Sequence, residues 1–147
     1  MREIRTEIDI DAPPAAVWAV LTDLEAYPEW DPHVVAASGV IELGSTLDIT
    51  VRRAGTRDRS MSVTVTELFP DLRLVWVGTL LAGAVFEGRH VFELEPLDGE
   101  RTRLVNREEV RGVLAGLVTT DEPEVDYAKM NQALKRRVER AARRQPA

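Results

Sequence analysis

Residues 11–30 read DAPPAAVWAVLTDLEAYPEW and run directly into Asp31-Pro32. The stretch holds a strand exit, two short helices and an aromatic turn. Upstream, residues 3–10 alternate polar and apolar side chains, the two-residue period of a half-buried strand. Pro13 and Pro14 end that strand and pre-set φ for a first helical turn, with Asp11 placed where a negative charge suits a helix N-terminus. Val17, Val20, Leu21 and Leu24 then recur on one helical face, and Pro28 closes a second short turn containing Tyr27. Trp18, Tyr27 and Trp30 read first as core filling.

Downstream, short turn signals separate a series of strands, with no internal repeat, low-complexity tract or linker, so residues 1–147 are expected to form one domain. Residues 33–40 suggest a short strand. Gly44 opens a longer one, with Leu47, Ile49 and Val51 on one face, and residues 52–58 read as a polar hairpin. Met61, Val63 and Val65 continue the alternation, as do Leu72, Leu74 and Trp76 beyond Pro70-Asp71. Residues 78–84 are expected as a loop. The next strand places Phe86, Gly88, His90, Phe92 and Leu94 on one face; Asp98-Gly99 turns the chain, and Thr102, Leu104, Asn106, Glu108 and Val110 share a face of the last strand. Thr119, Thr120 and Asp121 are candidate caps for a long helix with Pro123 in its first turn. Its apolar stripe is Tyr127, Met130, Leu134, Val138 and Ala141.

Composition narrows the function. The chain has no cysteine, which removes disulfides, thiolate nucleophiles and cysteine-ligated metals together, and only two histidines. No metal-ligand spacing and no cofactor motif is visible, so neither metal nor cofactor is expected. No apolar run approaches the ~18–20 residues of a membrane helix, and the N-terminus lacks a basic segment followed by an apolar one, pointing to a cytoplasmic protein with no membrane insertion. The net charge of −6 is uneven: residues 127–147 hold seven basic side chains and one acidic one. Those bases suit a helix C-terminus and its solvated face better than nucleic acid, which the acidic remainder would repel.

The order of strand, two short helices, antiparallel meander and long C-terminal helix is that of the helix-grip fold. With residues 10–18 (IDAPPAAVW), 27–32 (YPEWDP), 88–96 (GRHVFELEP) and 103–112 (RLVNREEVRG), the chain resembles the START-like, or SRPBCC, superfamily, in its bacterial polyketide cyclase/dehydrase-like branch. The resemblance implies an α+β fold in which a curved antiparallel sheet of about six to seven strands wraps around the C-terminal helix. It also implies a cavity between the two for a small hydrophobic ligand, lipid-, polyketide- or aromatic-like. Trp30, Met61, Trp76, Phe92, Asn106, Met130 and Leu134 are the candidate ligand contacts, with Trp30 closing an entrance beside residues 78–83. His90 and Glu108, polar residues on an otherwise apolar face, are the candidate acid–base pair if the protein is instead a cofactor-independent cyclase or dehydrase. A third reading is a co-chaperone-like interaction module that uses the basic helix end at Arg136, Arg140 and Arg143.

Overall fold

A computed structural model describes residues 2–52, 57–80, 86–112 and 123–144. Strand β1 (Arg2–Ile10) leads through Pro13 into α1 (Pro14–Leu21), a 3-10 turn (Leu24–Ala26) and α2 (Tyr27–Trp30). Strands β2 (Val34–Ser38), β3 (Thr46–Val51), β4 (Arg59–Phe69), β5 (Arg73–Leu80), β6 (Phe86–Leu97) and β7 (Arg101–Arg111) follow, and helix α3 (Pro123–Arg144) ends the described chain. The strands form one antiparallel sheet in the order β1-β7-β6-β5-β4-β3-β2, so β1 joins the end of the meander across the long return of the chain.

Local chemistry explains the unusual β1–β2 connection. Pro13 sits at the N-cap in an extended conformation and Pro14 occupies the first helical turn, where a missing N–H costs nothing. The Tyr27 hydroxyl donates to the Leu21 carbonyl at 2.6 Å, tying α2 back onto α1 inside the core. Asp31 Oδ1 then accepts the amides of His33 (2.8 Å) and Val34 (3.2 Å), an Asx-type turn that delivers the chain into β2. At the opposite end, the β6–β7 hairpin uses Asp98-Gly99-Glu100, with Gly99 at φ 74° and Glu100 at φ 57°. The turn is thus one residue longer than Asp98-Gly99 alone suggests, and a non-glycine residue carries part of the left-handed geometry.

Several expectations shift in detail. Leu24 belongs to the 3-10 turn rather than to α1, and residues 78–80 continue β5 instead of forming a loop. Ala141 is exposed, so the buried stripe of α3 stops at Val138; Asn131 and Ala133 join it instead. Residues 53–56 of the expected hairpin, residues 81–84 of the expected loop and the candidate caps Thr119, Thr120 and Asp121 lie outside the described residues.

The two faces of the sheet are stabilised differently. On the outer face Arg73 bridges Glu67 (3.1 Å) and Glu93 (2.9 Å), Arg107 also reaches Glu93 (2.9 Å), and Arg89 joins Glu67 to Glu109. Each exposed pair contributes only about 0–1 kcal/mol. The arginine stems, however, roof over Val75, Val91 and Val105, which are buried beneath the ladder. The inner face is packed solid at one end, where Ile10, Leu47, Val65, Leu74, Leu94 and Leu104 meet the α1 residues Val17 and Leu21 and the α3 residues Leu134 and Val138. At the other end it is hollow.

Candidate functional site

Two glycines line the hollow. Gly78 of β5 pairs directly with Gly88 of β6, so the centre of the sheet carries no side chains there. A Cβ on Gly88 would lie 2.8 Å from Glu108 Oε1, and one on Gly78 would lie 3.1 Å from Val63 Cγ1, showing how closely neighbours approach the bare backbone. The cavity of about 180 Å³ lies between the sheet and the first turns of α3. Trp76 and Phe92 pack edge to face at 5.2 Å on its sheet side, and Tyr127 and Met130 line it from α3.

His90 is the hub of this wall. Its ring stacks on Phe92 (centroids 4.3 Å apart, planes 16° apart) and meets Trp76 and Tyr127 edge-on. Nε2 lies 2.6 Å from Asn106 Oδ1. Asn106 Nδ2 donates to Asn131 Oδ1 (2.9 Å), Asn131 Nδ2 donates to Thr6 Oγ1 (2.9 Å), and the Thr6 hydroxyl donates to the Asn106 backbone carbonyl (3.0 Å). A carbonyl oxygen can only accept, and that fixes the direction of every bond in the chain. Thr6 must donate to it, so Asn131 must present its N–H₂ to Thr6 and its oxygen to Asn106. Asn106 must in turn present its oxygen to His90.

The proton of the neutral imidazole therefore sits on Nε2, and Nδ1 keeps its lone pair, with no hydrogen-bond donor among the described residues. Burial pushes the His90 imidazole down to about 4, outweighing the opposing pull of the Asn106 bond. The ring is half-buried, but its aromatic neighbours and the paired Nε2 leave little water to solvate a charge.

A second polar group lies where the chain enters β2. Asp31 is 8% exposed and lines the cavity; burial raises its carboxyl, while the amides of His33 and Val34 pull the other way. His33 Nε2 stands 3.7 Å from Asp126 Oδ1, linking the start of β2 to the first turns of α3. Glu108 faces the cavity beside His90, its direct register partner on β6. Among the described residues no group of three or more His, Asp or Glu side chains is arranged to hold a metal ion.

Of the residues singled out from sequence, Met61, Trp76, His90, Phe92, Glu108 and Met130 line this cavity. Asn106 sits directly behind His90, fully buried, and Leu134 lies in the solid part of the core. Trp30 packs on Tyr27 at 4.7 Å and is outside the lining. His90 and Glu108 are neighbours, but Nε2 is committed to Asn106. Thr6 and Asn131 escaped the sequence reading although both carried a signal. Each is a polar residue at an inward position, Thr6 between Ile4 and Ile8 on β1, and Asn131 four residues after Tyr127 on α3. Asp31, His33 and Asp126 carried none.

The architecture is that of the helix-grip proteins. Solved structures with the same fold include an aromatase/cyclase, Zhui, from Streptomyces sp. R1128 (TM-score 0.77, 23% identity, covering 97% of this chain and 96% of that one). Others are TTHA0849 from Thermus thermophilus (TM-score 0.76, 20% identity, 96% and 99% covered) and a START superfamily protein from Mycobacterium smegmatis (TM-score 0.71, 18% identity, 95% and 98% covered). No curated protein matches the chain. Residues 1–144 match the family described as polyketide cyclase / dehydrase and lipid transport, and the chain belongs to that family, within the START-like superfamily. Among the described residues no helix is long and apolar enough to cross a membrane.

Proposed function

We propose that the chain, acting as a single domain, binds a small hydrophobic ring compound in the cavity between the sheet and α3. The observation that carries this reading is the hollow opposite the Gly78–Gly88 pair, walled by Trp76, Phe92, Tyr127 and Met130. Its volume of about 180 Å³ compares with the ~150 Å³ apolar cavity that takes up benzene in an engineered lysozyme, so it suits a compact ring system better than an extended acyl chain. Family membership supports the same reading, since its description spans cyclisation, dehydration and lipid transport.

An acid–base role for His90 with Glu108 is the second reading, favoured by their side-by-side placement on the cavity wall. The state of the imidazole weighs against it. With its pKa lowered to about 4, His90 is a feeble base near neutral pH, and its one N–H is already given to Asn106. Such a ring is better suited to accept a hydrogen bond from a ligand than to move a proton.

The test is titration calorimetry with an uncharged probe, naphthylethanol. Met130→Lys, placing a charge on the helical wall, is expected to weaken binding at least about tenfold, ~1.4 kcal/mol, in a protein that retains its circular dichroism spectrum. Unaltered affinity in the folded variant would move the site elsewhere. Gly88→Ala probes the opposite wall: its methyl would lie 2.8 Å from Glu108 Oε1 and 3.4 Å from the Phe86 ring, so the end of the Glu108 side chain must shift, stability should fall by about 1 kcal/mol and affinity several-fold. A melting curve recorded beside the calorimetry separates the two effects.

A further inference from the structure

Among the charged side chains of the cavity lining, carboxylates outnumber guanidinium groups three to one. Resting on the ligand-binding reading above, we propose that its preferred ligand is a ring compound bearing a protonated amine, and that the cavity discriminates against carboxylate-bearing compounds of the same shape.

Three carboxyl side chains line the cavity, Asp31 from the turn before β2, Glu108 from β7 and Asp126 from α3. Arg59 is the guanidinium in the described lining, and it is exposed, so solvent and salt screen its pull on an anion. Glu108 and Asp126 each engage other groups, but Asp31 supplies a more pointed observation. It is 8% exposed, and Oδ1 alone takes both backbone amides. Oδ2 has no donor among the described residues. His90 is in the same position: the directed chain through Asn106, Asn131 and Thr6 occupies Nε2 as the donor and leaves Nδ1 as an acceptor. Two acceptors without protein donors among the described residues, on a wall that carries three carboxyl side chains, favour a ligand that donates.

An ammonium group meets that demand in three ways. It brings three N–H donors and no acceptor. Its charge offsets the unfavourable burial of the Asp31 carboxylate, the effect that raises that group above the ordinary aspartate range. The ring faces of Trp76 and Tyr127, both in the lining, attract a cation and leave the apolar body of the ligand against Phe92 and Met130. A carboxylate placed in the same position finds like charge, and the buried His33 Nε2 that could donate to it stands 3.7 Å from the Asp126 carboxylate.

The experiment compares three probes of one shape, naphthylethylamine, naphthylethanol and naphthylacetate, by titration calorimetry on the full chain near neutral pH. The amine is expected to bind at least tenfold more tightly than the acetate, with the alcohol between them. Asp31→Asn keeps an oxygen for the two amides and removes the charge; Asp126→Asn removes a charge from a different element. Either variant, if folded, should narrow the amine-to-acetate ratio several-fold. Acetate binding as tightly as the amine, with the alcohol also bound, overturns the charge preference and leaves the ligand-binding reading standing. An unchanged ratio in both folded variants overturns the assignment to these carboxylates. Failure of all three probes to bind overturns the ligand-binding reading and this inference with it.

Discussion

Unfolding by urea at about pH 7 and again at about pH 4.5 is expected to show a His90-dependent loss of about 2–3 kcal/mol at the lower pH. The imidazole titrates near 6.5 when unfolded and at about 4 in the fold, because the aromatic wall strips water from its charged form. The folded state therefore binds this proton more weakly. Its contribution is fully present above 6.5 and is lost as pH falls through about 4, each pH unit between the two costing about 1.4 kcal/mol. Other groups add their own slopes. Burial raises Asp31, whose buried charge costs stability as pH rises, whereas Glu67 is held low by its bonds to Arg73 and Arg89 and loses stability as pH falls. The measurement is thus the difference between wild type and His90→Gln, in which the glutamine amide can still donate to Asn106. Parallel pH profiles for the two proteins would show that the imidazole is not buried as neutral base.

Asn106→Leu should be the most damaging single change in the cavity wall, with a cost of about 3–5 kcal/mol. The loss is not of one hydrogen bond but of a junction. Removing the amide leaves the His90 Nε2–H and the Asn131 oxygen without their partner, and a buried polar group left in that state costs about 1–3 kcal/mol, on top of the lost bond itself. A double-mutant cycle is the check. In Asn106→Leu with Asn131→Leu the second orphan is gone, so the combined cost should fall short of the sum by about 1–2 kcal/mol. Strict additivity would mean that the two amides act independently and that the chain from His90 to Thr6 carries no cooperative energy.

The sequence and the structure agree best where local rules decide the outcome. Alternation placed Phe86, Gly88, His90 and Phe92 on one face of β6, and Leu104, Asn106, Glu108 and Val110 on the facing side of β7, because a strand offers side chains only two directions. The double proline before α1 and the spacing of Met130, Leu134 and Val138 are equally local. What was hidden is long-range. Gly78 and Gly88 each look like an ordinary strand glycine until the register of β5 on β6 sets them opposite one another in the cavity lining. Periodicity makes no distinction between a face that is filled and one that is hollow. The partners of His90 were beyond reach for the same reason: Asn131 meets Thr6 across 125 residues of chain, and no motif announces that meeting. The Asn106 side chain was visible as polar on an inward face, but its task, orienting the imidazole, depends on α3.

The ends of the sheet carry a different consequence. Strand β2 is five residues long and slips register between Val34 and Ala36, while β1 presents Arg2, Glu3, Arg5, Glu7 and Asp9 along its length. Helix α3 packs along β1, where Lys135 Nζ donates to the Asp9 carbonyl and Asn131 reaches Thr6. An incoming strand thus meets a short, bent border on one side and a charged, partly occupied one on the other, the devices by which β-rich chains avoid joining into ribbons. A protein that holds greasy cargo in a seven-stranded sheet must keep that sheet from recruiting copies of itself when the cargo is missing. Here the protection lies in the open borders of the two outermost strands, whose inward side chains Ile4 and Val34 also line the cavity.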